Sequence, residues 1–176
     1  MRIITGIYKG RHFEIPRTFK ARPTTDFAKE NIFNVLRGYL DFDGIAALDL
    51  FSGTGSISLE MLSRGCGQVV SVEADRDHAR FIRQCIAKIG AENHALIQGD
   101  VFRFVKSCHQ QFDFIFADPP YQLETLADLP ELVLSTGILA PDGIFCLEHG
   151  KNYDFSSHSR FLEHRNYGSV NFSLFR

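Results

Sequence analysis

The 176-residue sequence contains no tryptophan and only two methionines. Seventeen phenylalanines and a hydrophobic fraction of 44% take their place, which is ample for a packed core. No apolar run approaches the roughly 18 residues that a membrane-crossing helix needs, so no membrane partner is expected. The opening stretch "MRIITGIYKGR" lacks the apolar block of a secretory signal, which leads to the expectation of a cytoplasmic protein. Cysteine is sparse. Cys66, Cys85, Cys108 and Cys146 lie far apart and form no CxxC pair, so zinc and dithiol redox motifs are excluded and reduced thiols are expected. The seven histidines are scattered too. Neither His109 nor His149 has a neighbour at metal-ligand spacing, and no metal is expected. With no repeat and no low-complexity linker, the length suits one domain over residues 1–176, taken here as a monomer.

The formal charge of −2 is unevenly spread. Residues 1–22 carry Arg2, Lys9, Arg11, Arg17, Lys20 and Arg22 against Glu14 alone, a net +5, so the remainder carries −7. A basic segment on an acidic body suits either a polyanionic partner met by one face or a plainly solvated hairpin. Residues 1–22 are read as a basic hairpin and connector, with two short strands turning around Tyr8-Lys9-Gly10.

Beyond the connector the pattern alternates. Thr25 or Asp26 can cap a helix carrying Ala28, Ile32, Val35, Leu36, Tyr39 and Leu40 at helical spacing. "IAALDLFS", "QVVSVEAD", "HALIQGD", "FDFIFAD" and "DGIFCLEH" read as strands separated by helices, with Gly90 stopping the helix after the second. "FLEHRNYGSVNFSLFR" reads as two strands joined through Gly168. The class is α/β: a mostly parallel, Rossmann-like sheet covered on both faces, closed by an antiparallel strand.

Ligands of such sheets sit outside the carboxyl ends of the strands. Those ends hold Asp49, Phe51, Gly53 and Gly55 after the first strand, Glu73 after the second, Asp100 after the third and Asp118-Pro119-Pro120-Tyr121 after the fourth. The glycines permit a tight turn and close backbone approach. Glu73, 18 residues past Gly55, suits a ribose hydroxyl. A dinucleotide would want a third glycine where Ser58 stands, and Asp49 would repel a pyrophosphate. No Gly-Lys-Ser/Thr follows, so a P-loop is excluded. An acid at Asp49 suits S-adenosyl-L-methionine, whose tail carries a sulfonium and an ammonium. Asp100 can take the adenine amino group, with Val101 and Phe102 beside the ring. Each acid taken alone also reads as a helix cap or a solvated strand end.

Two successive prolines stop a ladder because neither has an N–H. Their use becomes clear if the acceptor is an exocyclic amine of a base. Its lone pair is delocalised into the ring, and two acceptors, the Asp118 carboxylate and the Pro119 carbonyl, can hold its two N–H bonds so that the lone pair faces a methyl donor. Tyr121 can stack on a base drawn out of its surroundings. The bland alternative is a proline-terminated strand with a packing tyrosine.

"LDLFSGTG", "VVSVEAD", "QGD" and "DPPY", in that order, resemble the motifs of class I S-adenosylmethionine-dependent methyltransferases acting on exocyclic amines. "MRIITGIYKGRHFEIP", "RPTTDFAKENIFNVL" and "YGSVNFSLFR" extend the resemblance over nearly the whole chain to the bacterial 16S ribosomal RNA guanine-N2 methyltransferase family of the RsmD type. The resemblance implies seven strands with an added N-terminal hairpin, and as partner 16S rRNA or an assembling small ribosomal subunit. It also implies cofactor contacts from Arg22 and Thr24 at the methionyl end, from Asp49, Phe51, Gly53 and Gly55 in the glycine loop, and from Glu73, Asp100, Val101 and Phe102. Asp118, Pro119, Pro120 and Tyr121 become the catalytic tetrapeptide, and Arg2, Lys9, Arg11 and Arg17 the RNA-facing arm.

Three other readings share these motifs. A DNA adenine-N6 methyltransferase usually needs a further target-recognition domain, for which about 22 residues before the connector leave little room. A protein-glutamine methyltransferase generally has Asn at the Asp118 position. A non-catalytic RNA-binding module need not keep Asp118, Gly53, Gly55 and Glu73 together.

Overall fold

The computed structural model describes residues 1–20 and 23–176. Seven strands form one sheet: β1 (Ala46–Leu50), β2 (Gln68–Glu73), β3 (His94–Gln98), β4 (Phe112–Ala117), β5 (Leu139–His149), β6 (Phe161–Tyr167) and β7 (Val170–Phe175). Their spatial order is β3-β2-β1-β4-β5-β7-β6. The first five pair in parallel, and β7 runs antiparallel between β5 and β6. The fold class read from the sequence is thus the one observed.

Strand alternation explains how both faces are filled. Ala47, Val69, Phe114, Phe116, Ile144 and Cys146 share a core with α1 (Asp26–Leu36), α2 (Ser56–Ser63) and α3 (Arg76–Ile89). Leu48, Leu50, Val70, Val72, Ile115 and Phe145 face α4 (Val101–Ser107) and α5 (Leu129–Ser135). The inner strands β1 and β4 are therefore apolar almost throughout, as a sheet covered on both sides requires.

Helix boundaries follow local chemistry. Thr25, rather than Asp26, caps α1 by accepting from the Ala28 N–H. Asp75 caps α3 by accepting from Asp77 and His78, and Gly90 ends it in the left-handed conformation (φ 71°). Tyr39 and Leu40 carry the apolar spacing of α1 beyond its end, in the turn that leads toward β1.

The N-terminal arm is the expected hairpin turning around Tyr8-Lys9-Gly10, but it carries one antiparallel bridge, between Arg2 and His12, in place of two strands. Across it the Ile3 N–H donates to the Arg11 carbonyl at 3.0 Å and the Phe13 N–H to the Met1 carbonyl at 2.9 Å. Other donors of the arm reach α2. Ile4 and Thr5 N–H groups donate to the two Glu60 carboxylate oxygens at 2.9 and 3.0 Å, and the Ile7 N–H donates to the Ser63 carbonyl at 2.8 Å. A charged acceptor on α2 thus binds two donors that the hairpin's own pairing does not use. Gly6 (φ 90°) is required at the same contact, since a Cβ there would lie 1.7 Å from the Ser63 carbonyl oxygen.

Glu60 also receives Arg64 Nε at 3.0 Å and faces the buried Lys29 Nζ at 3.8 Å. Lys29 donates to the Arg2 carbonyl and to Ser56 Oγ. One buried carboxylate therefore joins the arm, α1 and α2. Replacing Glu60 by Ala strands the Lys29 charge, and unfolding in urea is expected to show a loss of about 3–5 kcal/mol.

Candidate active site

A cavity of about 1040 Å³ opens at the carboxyl ends of the parallel strands. Alternation aims four acids toward it from one face. Asp49 follows Ala47 on β1, Glu73 follows Val69 and Ser71 on β2, Asp118 follows Phe114 and Phe116 off β4, and Glu148 follows Ile144 and Cys146 on β5.

The turn after β1 is built tightly. Phe51 adopts φ 60°, rare for a residue with a side chain, followed by Gly53 at 54° and Gly55 at 79°. Gly53 lines the cavity, whereas Gly55 lies beneath it: a Cβ there would stand 3.0 Å from Ile82 Cγ1, so this glycine lets α2 approach α3. Asp49 Oδ2 accepts the Ser58 N–H at 3.0 Å and the Ser58 hydroxyl. Ser58 Oγ also meets Ser71 Oγ, which meets His94 Nε2 at 2.7 Å. The residue that excludes a dinucleotide fingerprint is thus the anchor of the buried acid. Burial pushes the Asp49 carboxyl up to about 7, against the pull of its bonds to Ser58.

Glu73 accepts the Gly53 N–H at 2.6 Å through Oε2 and the Asp75 N–H at 2.8 Å through Oε1. Its carboxylate is oriented by backbone, with one lone pair left on each oxygen for hydroxyl donors. His78 Nδ1 stands 3.8 Å away. Asp100 caps α4 through a 2.8 Å bond to the Arg103 N–H and lines the cavity as well, so the structural and the ligand-facing readings coexist in one side chain. Val101 and Phe102 line the wall next to it, with Phe51 edge-on to Phe102 at 6.1 Å between ring centroids.

At the other end of the cavity stand Asp118, Pro119, Pro120 and Tyr121. Burial, then the charges of Glu148 and Asp49, raise the Asp118 carboxyl well above its ordinary range. The Tyr121 ring is 41% exposed, with its hydroxyl 3.1 Å from Glu148 Oε1. Thr24 donates to Glu148 Oε2 at 2.8 Å. Burial raises the Glu148 carboxyl, and the two hydroxyl donors oppose that rise.

Thr24, Asp49, Phe51, Gly53, Glu73, Asp100, Val101 and Phe102 thus share one cavity with the DPPY tetrapeptide. Arg22 lies outside the described residues. Arg2, Lys9, Arg11 and Arg17 do not line the cavity. Arg2 pairs with Asp26 at 3.0 Å, near the start of α1, while Arg11 Nη1 donates to the Lys88 carbonyl at the far end of α3. Glu148 was missed from the sequence, although "DGIFCLEH" ends in an acid as the preceding strands do. Lys20, on the cavity wall, was counted only as part of the basic arm. Among the described residues no group of three His, Cys, Asp or Glu can hold a metal.

The donor set fits a nucleoside bearing a cationic tail. Glu73 and Asp100 offer acceptors at one end. At the other, the buried Asp49 and Glu148 and the half-buried Asp118 concentrate acid, where a cation would favour their ionised forms. Sheet order, glycine turn and cavity together define a class I methyltransferase fold. The protein shares that fold with a putative methyltransferase, yhhF, of Escherichia coli (TM-score 0.86, 26% identity, 99% of this chain and 96% of that one). It shares it also with the hypothetical protein TTHA0928 of Thermus thermophilus (TM-score 0.87, 27% identity, 100% and 99%).

The profile of the family described as conserved hypothetical protein 95 matches residues 1–176, and the chain belongs to that family, which is the RsmD type. Among its curated relatives, the putative rRNA methyltransferase YlbH of Bacillus subtilis is 34% identical over 158 residues, 88% of this chain and 85% of that protein. Ribosomal RNA small subunit methyltransferase D of Haemophilus influenzae is 28% identical, over 100% of this chain and 93% of its own length.

Two outcomes test the site. Glu73→Ala is expected to weaken binding of S-adenosylhomocysteine by about 1.5–3 kcal/mol in calorimetry, the worth of a charged hydrogen bond. For Asp49, the folded state holds the proton to about pH 7 and the unfolded chain releases it near pH 4. The folded state binds more protons between those values, so this group makes stability fall as pH rises from about 4 to about 7. Asp49→Asn removes that part of the slope, which urea midpoints across the range will show.

Proposed function

We propose that this protein uses S-adenosyl-L-methionine to methylate the exocyclic N2 amine of a guanine in small-subunit ribosomal RNA. The observation that carries the reading is the DPPY tetrapeptide at the end of β4, with a half-buried Asp118 on the cavity wall and the Tyr121 ring half-open above it. Gly150 backs that ring: a Cβ there would stand 3.5 Å from Tyr121 Cδ2, which leaves the exposed side for a base. The names of the relatives, ribosomal RNA small subunit methyltransferase D among them, support an rRNA substrate. The S-adenosylhomocysteine bound by the putative Streptococcus mutans methyltransferase SMU.776, a protein of like fold, supports the cofactor.

The cofactor supplies an electrophilic methyl group on a sulfonium. The protein's part is placement. The Asp118 carboxylate and the Pro119 carbonyl accept the two N–H bonds of the amine, whose lone pair is otherwise shared with the ring. Pro119 and Pro120 have their φ angles locked by their rings, so the carbonyl between them needs no reorganisation when the amine arrives. One amine proton must leave as the N–C bond forms, and Asp118 is the acceptor beside it. Tyr121 stacks on the base and keeps its edge at the depth of the acids. The exposed cations of the arm, Lys9 and Arg17, extend the RNA contact beyond the cavity, whose wall they do not join. An assembling ribosomal subunit as substrate implies a cytoplasmic site of action.

The test is transfer of a tritiated methyl group to naked 16S RNA and to small subunits from cells lacking the gene, followed by nucleoside analysis. Label in N2-methylguanosine is expected. Label in N6-methyladenosine would keep the placement chemistry and overturn the substrate. Asp118→Ala is expected to bind the cofactor normally and to lose about 10²–10³ in kcat, the worth of one preorganised polar contact in a transition state.

A further inference from the structure

Glu148 is the one strand-end acid for which the reading above has no chemical task. Its position is defined by the sheet. Ala117 on β4 pairs with Leu147 on β5, so the next residues along, Asp118 and Glu148, are neighbours at the cavity wall. Its own bonds aim it. Thr24 holds Oε2 and Tyr121 holds Oε1, both by donating hydroxyls, and the side chain is 4% exposed. A carboxylate has about four acceptor directions, so two remain beyond these bonds.

The edge of guanine carries its donors side by side: the N1–H next to the two hydrogens of the N2 amine. A site that engages N2 through Asp118 must place something against N1–H as well. Adenine, or any purine without a hydrogen on N1, would turn a bare lone pair toward the same place. A second carboxylate beside the first accepts from guanine and repels the others.

We propose that Glu148 determines the base: it accepts the N1–H of the guanine whose N2 amine Asp118 holds. The assignment rests on the guanine-N2 reading above. The two hydroxyl donors work against the rise that burial imposes on the Glu148 carboxyl, and they leave acceptor directions open toward the cavity. They also tie the stacking ring, Thr24 and the base-reading carboxylate into one unit, so that Tyr121 and Glu148 address the face and the edge of the same base.

2-Aminopurine tests this directly, because it keeps the N2 amine and has no hydrogen on N1. RNA carrying either guanine or 2-aminopurine at the methylated position can be made by ligation and assembled into the accepted substrate. The wild-type protein is expected to prefer guanine by about 10²-fold in kcat/KM, as a site built to pair a substrate N–H discriminates strongly against its absence. E148Q, whose amide can donate to a bare N1, is expected to cut that preference at least tenfold, with guanine falling and 2-aminopurine rising. Parallel losses on both bases would make Glu148 a structural tie and overturn the proposal. So would a wild-type protein that methylates both bases equally, a result that needs no variant. Absence of N2-methylation on any guanine would instead overturn the underlying reading, so the two failures are separable.

Discussion

A carboxylate withdrawn from water costs several kcal/mol unless donors or a cation face it. This fold buries two such groups, Asp49 and Glu148, and half-buries a third, Asp118, at the carboxyl ends of the adjacent strands β1, β4 and β5. Ser58, Thr24 and Tyr121 meet part of their demand. The remainder is left for a ligand. The rest of the structure answers to this arrangement: helices cover both faces of the inner strands, and the cavity opens at their carboxyl ends.

The same requirement explains the supports around the cavity. Tyr121 and Thr24 come from segments nearly a hundred residues apart and converge on one carboxylate. Glu73 is oriented by two backbone N–H groups, one from the glycine turn itself, so the turn and this acid are built as a pair. On α2, Glu60 performs a different service with the same chemistry: it takes the Ile4 and Thr5 N–H groups and holds the arm against the helix. Buried charge thus both shapes the site and seats the arm.

Legibility of the sequence varied by element. β1, β2, β4 and β5 were plain because a strand buried on both faces is a nearly unbroken apolar run, and the end of each run showed what it carries. Asp49, Glu73, Asp100 and the DPPY residues could be placed at one edge by topology alone. The hairpin was legible but its seat was not. "MRIITGIYKGRHFEI" shows the turn and the pairing of its two arms, whereas its docking on α2 rests on Glu60 and Ser63, residues more than fifty positions away. Gly55 was assigned to the ligand because its motif is a ligand motif; the contact with Ile82 that requires a glycine there is invisible in the sequence.

By itself, then, the sequence determined the layers, the order of the strand-end acids and the chemistry they suit, because those depend on periodicity and on residue type. Tertiary structure alone decided which acids become neighbours. Glu148 acquires meaning only when β5 lies beside β4 in a register that sets it next to Asp118, and when Thr24 and Tyr121 close on it from distant segments. Proximity across strands is a product of packing. No local pattern encodes it.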